Sequence, residues 1–197
     1  MAKHIGFDAD QDCSKITKLA ASKKVEFVGR YLKNLKKAEV VALSAAGLSI
    51  VSIFESTAKR ALTGHTGGYM DGQWAIGHAV AIGQPTGTAI YFTADFGELS
   101  FQDPMVYAYC AGVIQALNGM YALGMYGEGA LYGVVHDLIK FFWLAGGGQM
   151  RGTPGLLAAG TATIVQDVGD KQKLDLGINI DSDTALVDDF GRWRHST

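Results

Sequence analysis

The chain has 197 residues, of which 48% are hydrophobic and only 18% charged, a balance that supports a sizeable buried core and excludes a disordered chain. The formal net charge is −2 and no basic run exceeds two residues, so nothing points to nucleic-acid binding. One domain over residues 1–197 is the expectation, since no linker, internal repeat or low-complexity stretch divides the chain.

Other features bound the class further. No stretch reaches the roughly 18 uninterrupted apolar residues of a membrane span. Met1 to Ile5 leads straight into a strand-like segment, which leaves no room for a signal peptide; synthesis in the cytoplasm is expected, with any action outside requiring release by something else. The short basic stretch Gly191-Arg192-Trp193-Arg194-His195 is too small for a membrane-active tail. Cys13 and Cys110 lack metal-ligand spacing and read as two free buried thiols. The 26 glycines are spread along the chain, as suits a fold with many tight turns.

In chain order, short apolar runs alternate with helical ones, the pattern of a β/α protein. His4-Ile5-Gly6-Phe7-Asp8 reads as a first strand and 12–23 as a helix. Glu26 to Tyr31 follows as a second strand, then a helix near 36–46 stopped by Gly47. Leu48 to Phe54 is a third strand ending at Glu55. The loop from Thr63 to Tyr69 is Gly-rich, either a plain connection or a substrate flap, and 71–83 is a helix. Thr88 to Ala94 is a fourth strand ending at Asp95. Asp103-Pro104 opens a long helix to 121. Leu123 to Tyr126 is a fifth strand, 129–139 a helix, and Phe141 to Leu144 a sixth strand before a loop from Gly146 to Gly155. Thr161 to Val165 makes a seventh strand and Leu176 to Ile180 an eighth. The expected fold class is therefore α/β, a short (β/α)8 TIM-like barrel with trimmed later helices, against about 250 residues in a typical barrel.

Active sites of such barrels sit at the C-terminal ends of the strands. Here those ends carry Asp8, Arg30-Tyr31, Glu55, Asp95, Tyr126, Trp143, Gln166-Asp167 and Asp181, with Asp183 beyond. A single carboxylate after a strand is commonly a cap or turn residue, but four of them around one mouth fit glycoside hydrolysis. That reaction needs one carboxylic acid to protonate the leaving oxygen and one carboxylate to activate water or stabilise positive charge. Tyr31, Tyr126 and Trp143 offer flat faces for sugar rings. Other patterns carry less. Gly127-Glu128-Gly129 with Gly133 has the wrong spacing for a dinucleotide fingerprint. The five histidines include no helical HExxH pair, so neither a metal nor any other cofactor is expected. The nucleophile elbow of α/β-hydrolases is missing.

The runs Ile5-Gly6-Phe7-Asp8, Phe27-Val28-Gly29-Arg30-Tyr31-Leu32, Ile53-Phe54-Glu55-Ser56 and Thr88 to Phe96 resemble the glycoside-hydrolase-like domains of domain-of-unknown-function family 1906. Gly177 to Asp183 and the closing Asp189-Phe190-Gly191 fit the same pattern, so the resemblance covers nearly the whole chain. That family is similar to the family-25 lysozymes, TIM-like barrels that cleave peptidoglycan glycan strands and occur among phage endolysins. The resemblance equates Asp8, Asp95 and Asp181 with the first-, fourth- and last-strand aspartates of the lysozyme site. Those lysozymes carry a catalytic glutamate two residues after the fourth-strand aspartate; here that position is Gly97, and Glu98 lies one residue further on.

Together these readings imply a bacteriolytic peptidoglycan hydrolase. Glu55 is the expected general acid and Asp95 the base or charge stabiliser, with Asp8 and Asp181 tuning the pair. Arg30, Tyr31, Tyr126, Trp143, Gln166, Asp183 and Glu98 are the expected substrate contacts. The partner is the peptidoglycan glycan strand, reached after release by a holin or a secretion machine. The alternatives are a non-catalytic glycan-binding module on the same barrel and a hydrolase of another polysaccharide.

Overall fold

A computed structural model describes residues 3–97, 102–146, 150–167 and 176–195. Eight strands close into a barrel in sequence order: β1 (His4–Ala9), β2 (Phe27–Tyr31), β3 (Ser49–Phe54), β4 (Ala89–Ala94), β5 (Ala122–Gly127), β6 (Phe141–Leu144), β7 (Ile164–Asp167) and β8 (Asp181–Ala185). Helices α1 (Thr17–Ser22), α2 (Lys37–Ala45), α3 (Gly64–Ile82), α4 (Asp103–Leu117), α5 (Gly129–Val135) and α6 (Thr153–Ala159) connect the first seven strands. β1 to β7 run parallel, each paired with the next.

β8 departs from the expected eightfold repeat. Residues 176–180 form no strand; the last strand begins at Asp181 and pairs antiparallel with both β1 and β7. The apolar residues Ile178 and Ile180 pack outside, against the layer between barrel and helices. The polar run from Asp181 to Ala185 takes the barrel position instead, because its two flanking strands satisfy its backbone groups on both sides. The reversal still brings Asp181 to the mouth: the N-terminal end of an antiparallel strand lies beside the C-terminal ends of its neighbours, and Asp8 is opposite Asp181 in register.

Strand alternation sorts the side chains into two cores. Inward positions form one cluster that includes Phe27, Val51, Ile53, Tyr91, Phe141 and Trp143. Outward positions such as Phe7, Val28, Ile50, Phe92 and Phe142 join the helices in the other. Glycines make room for the large rings inside: a Cβ at Gly29 would lie 2.6 Å from Trp143, and one at Gly124 would lie 2.6 Å from Tyr91. The tail closes the barrel floor, where the Tyr91 hydroxyl donates to the Phe190 carbonyl at 2.9 Å, and then turns to the outer layer, where the Trp193 indole N–H donates to Ser52 Oγ at 3.0 Å.

One expected loop is helical, and another runs into a helix at its end. The Thr63 to Tyr69 segment is no flap; from Gly64 onward it is the start of the 19-residue α3. Its glycines are contact points with α4: a Cβ at Gly68 would fall on the Tyr109 carbonyl, and one at Gly112 on that of His65. Such close approach is a long-range requirement that local propensity does not show. The Gly146 to Gly155 stretch gives way to α6 at Thr153, opened by Pro154 in its first turn. At seven residues each, α5 and α6 are trimmed, as expected.

Candidate active site

All four expected catalytic carboxylates, Asp8, Glu55, Asp95 and Asp181, line one cavity of about 140 Å3 at the C-terminal mouth of β1 to β7. Tyr31, Tyr126 and Gln166 line its wall, and Trp143 closes its floor at 1% exposure. These residues share one property: each occupies an inward position of its strand or of the residue just beyond it, on the same parity as Phe27 or Tyr91.

The floor is a hydrogen-bonded chain. The Tyr126 hydroxyl donates to Gln166 Oε1 at 2.9 Å, and Gln166 Nε2 donates to Asp8 Oδ2 at 3.1 Å. The Trp143 indole N–H donates to Asp183 Oδ1 at 3.0 Å. Asp183 is 1% exposed, and no N–H or O–H donor reaches its buried Oδ2. The Asp8 carboxyl is its neighbour across the floor, and its charge adds to the burial that favours a protonated Asp183. Complete burial, and then the Asp8 charge, push Asp183 well above the ordinary aspartate value. Asp8 rises to about 7, mainly by burial, with its Gln166 hydrogen bond opposing and the Asp181 charge adding to the rise.

Glu55 is half-buried, while Asp95 and Asp181 are exposed at the rim. Burial and then the neighbouring Asp95 charge raise the Glu55 carboxyl above its usual value, with Lys33 acting in the opposite sense. Lys33 is a cation the strand-end rule passed over, because it lies beyond β2; its Nζ sits 5.3 Å from the centre of the Tyr31 ring. Thr93 was also overlooked. It lines the cavity at 4% exposure, and its Oγ1 has no hydrogen-bond partner. Its inward parity between Tyr91 and Asp95 is the signal that would have found it.

Two expected substrate contacts are placed elsewhere. Arg30 is fully buried and outward-facing, between β2 and α2, where Nε donates to Glu39 Oε1 at 2.7 Å and another guanidinium nitrogen donates to the Ala9 carbonyl. Strand alternation sends Tyr31 to the mouth and therefore Arg30 to the helix layer. Asp183 lies below the mouth, because the reversed β8 runs inward from Asp181. Glu98 is outside the described residues. Gly97 is exposed, with no atom within 4 Å of the place where its Cβ would be. Among the described residues, no three His, Cys, Asp or Glu side chains are grouped to hold a metal ion, and no helix is long and apolar enough to cross a membrane.

A sequence profile of the Rv2525c-like, glycoside hydrolase-like domain matches residues 18–183. The chain belongs to that family. Its barrel is shared with the Tat-secreted protein Rv2525c of Mycobacterium tuberculosis, solved in complex with L-tartrate, at a TM-score of 0.75 and 21% identity over 97% of this chain and 98% of that one. An uncharacterised B. stearothermophilus protein superposes at a TM-score of 0.68, 17% identical over 92% of this chain and 95% of its own. The catalytic domain of endolysin ply40, from bacteriophage P40 of Listeria monocytogenes, does so at 0.60 and 12% identity, over 95% of each chain. At these identities the likeness is one of fold. No curated protein sequence matches the chain.

Proposed function

We propose that the protein is a glycoside hydrolase that cuts the glycan strands of bacterial peptidoglycan. The observation that carries this reading is the mouth itself, where Glu55, raised by burial and by Asp95, stands among Asp8, Asp95 and Asp181 in one cavity. Glycosidic cleavage passes through a positively charged sugar, which clustered carboxylates stabilise; amide cleavage develops an oxyanion, which they oppose. Glu55 protonates the leaving oxygen, and Asp95 supports water attack or the developing charge. Asp8, held by Gln166 and Asp183, adds negative potential from the floor, and the free Thr93 hydroxyl is placed to bond a sugar hydroxyl. Arg30, which would have blunted this electrostatic argument, is withdrawn from the mouth, and Lys33 stands as the cation beside Glu55.

The endolysin and Rv2525c likenesses support action at the cell wall, reached after release through a holin or a secretion route. Gly97, standing where the lysozymes carry glutamate, favours a second reading, a glycan-binding barrel that does not cleave. Mass spectrometry of peptidoglycan digested by the protein separates the two. New reducing sugar ends establish glycan cleavage; freed peptide stems on intact glycan overturn it; bound but unaltered glycan establishes the binding module.

A further inference from the structure

Glu128 was part of a glycine-flanked motif that fits no phosphate-binding fingerprint. The structure shows what those glycines do. A Cβ at Gly129 would collide with the backbone of Gly152, and one at Gly127 would lie 2.9 Å from the Ala94 carbonyl. The chain at the end of β5 is thus pressed against the turn before α6. Gly129 N–H donates to Thr153 Oγ1 at 3.0 Å and Ala130 N–H to the Arg151 carbonyl at 2.8 Å. The Arg151 N–H donates in turn to Glu128 Oε2 at 3.2 Å. One carboxyl oxygen of Glu128 is therefore clamped. The other, Oε1, is buried without a partner, and the residue is 6% exposed.

A buried carboxyl oxygen without a partner forfeits its hydration with no hydrogen bond in return, so a site that keeps one is a site that awaits a donor. Glu128 lines a second cavity of about 140 Å3 together with Ala94, Asp95, Phe96, Gly97 and Met150. Asp95 borders both this cavity and the catalytic mouth, so the two are neighbours. Gly97 keeps the space open. The cavity joins the Glu128 and Asp95 carboxyl groups to an apolar wall of Ala94, Phe96 and Met150. An acetamido group matches both, with an N–H for Glu128 Oε1 and a methyl for the wall. A bare hydroxyl satisfies only the acceptor.

We propose that this cavity is a specificity pocket for the acetamido group of an N-acetylated amino sugar, with Glu128 as the acceptor of its N–H. The proposal deepens the glycan-cleavage reading and rests on it for the position of the sugar, but it is read by affinity alone. Chitotetraose and cellotetraose differ in carrying acetamido or hydroxyl groups at the same ring position. Their dissociation constants are measured by NMR titration on the Glu55→Gln background, so that neither is consumed. Chitotetraose is expected to bind about tenfold more tightly, as one lost buried hydrogen bond implies. Adding Glu128→Ala should bring the ratio close to one, with the melting temperature checking the fold. Gly97→Leu, which fills the pocket from its open side, should do the same even if Glu128→Ala fails to fold. Equal affinity of the two sugars, no binding of either, or an undiminished ratio in the folded variants overturns the proposal. A ratio that collapses in a protein that releases no reducing ends supports the pocket while removing the hydrolase reading. Reducing ends without any preference do the reverse.

Discussion

Asp183 meets the Trp143 indole N–H at 3.0 Å on one side and the Asp8 carboxyl on the other, sealed below the mouth of the barrel. The pair exists because β8 runs against its neighbours and so carries Asp183 down beside Gly6 and Gln166, its register partners on β1 and β7. Burial of both carboxyls makes a shared proton cheaper than two charges.

Asp183→Asn should keep the fold and lower the titration of Asp8 from about 7. The asparagine oxygen can accept from Trp143 while its amide donates permanently to Asp8, favouring the ionised form. Carbon-detected NMR titration of the Asp8 carboxyl checks this; a titration that stays near 7 would show that Asp183 does not face Asp8 as a proton donor.

Stability should fall as pH rises from about 4 to about 7. The folded-state value of Asp8 lies above the ordinary aspartate value of 3.8, and that of Asp183 well above it, so the folded protein binds more protons than the unfolded chain in that window, and the loss runs through it. A shift of that size is worth on the order of a few kcal/mol. Denaturant unfolding across the window, repeated with Asp8→Asn and with Asp8→Asn/Asp183→Asn, measures it: the single variant should show a flatter dependence and the double variant a flatter one still.

Glu55→Gln and Asp95→Asn should each remove hydrolysis by about 10²–10⁴-fold with little change in melting temperature, since Asp95 is exposed and Glu55 half-buried. As a general acid, Glu55 must hold its proton, so activity falls as pH rises through its elevated value. Lys33 lowers that value, so Lys33→Gln should move this limb to higher pH. A turbidity assay on permeabilised bacteria reads both effects; wild-type rates in the two carboxyl variants would discard the site.

Arg30→Ala should behave as a core lesion. Its guanidinium and the Glu39 carboxylate are 0% and 1% exposed, and removing one partner of such a pair typically costs about 3–5 kcal/mol. Calorimetry should show the loss; if instead the fold is intact and glycan affinity alone falls, Arg30 belongs to the mouth after all.

Much of the site is written in the chain as parity. Asp8, Tyr31, Glu55, Asp95, Tyr126, Trp143 and Gln166 follow strands whose alternation is local, and a strand's period of two needs no partner to send every second side chain inward. The same rule, applied strictly, places Arg30 outside and Thr93 within. Other features depend on contacts far apart in sequence. The glycines at 64–68 read as a loop by propensity and are helical because α4 presses against them through Gly112. The direction of β8 follows from which edge groups β1 and β7 leave unpaired, so the polar run at 181–185 displaces the apolar one at 176–180. Thus the amino-acid order determined which carboxyls can face a common mouth, whereas closure of the barrel decided which are at the rim, which share a buried proton, and that Glu128 is left with one oxygen unpaired.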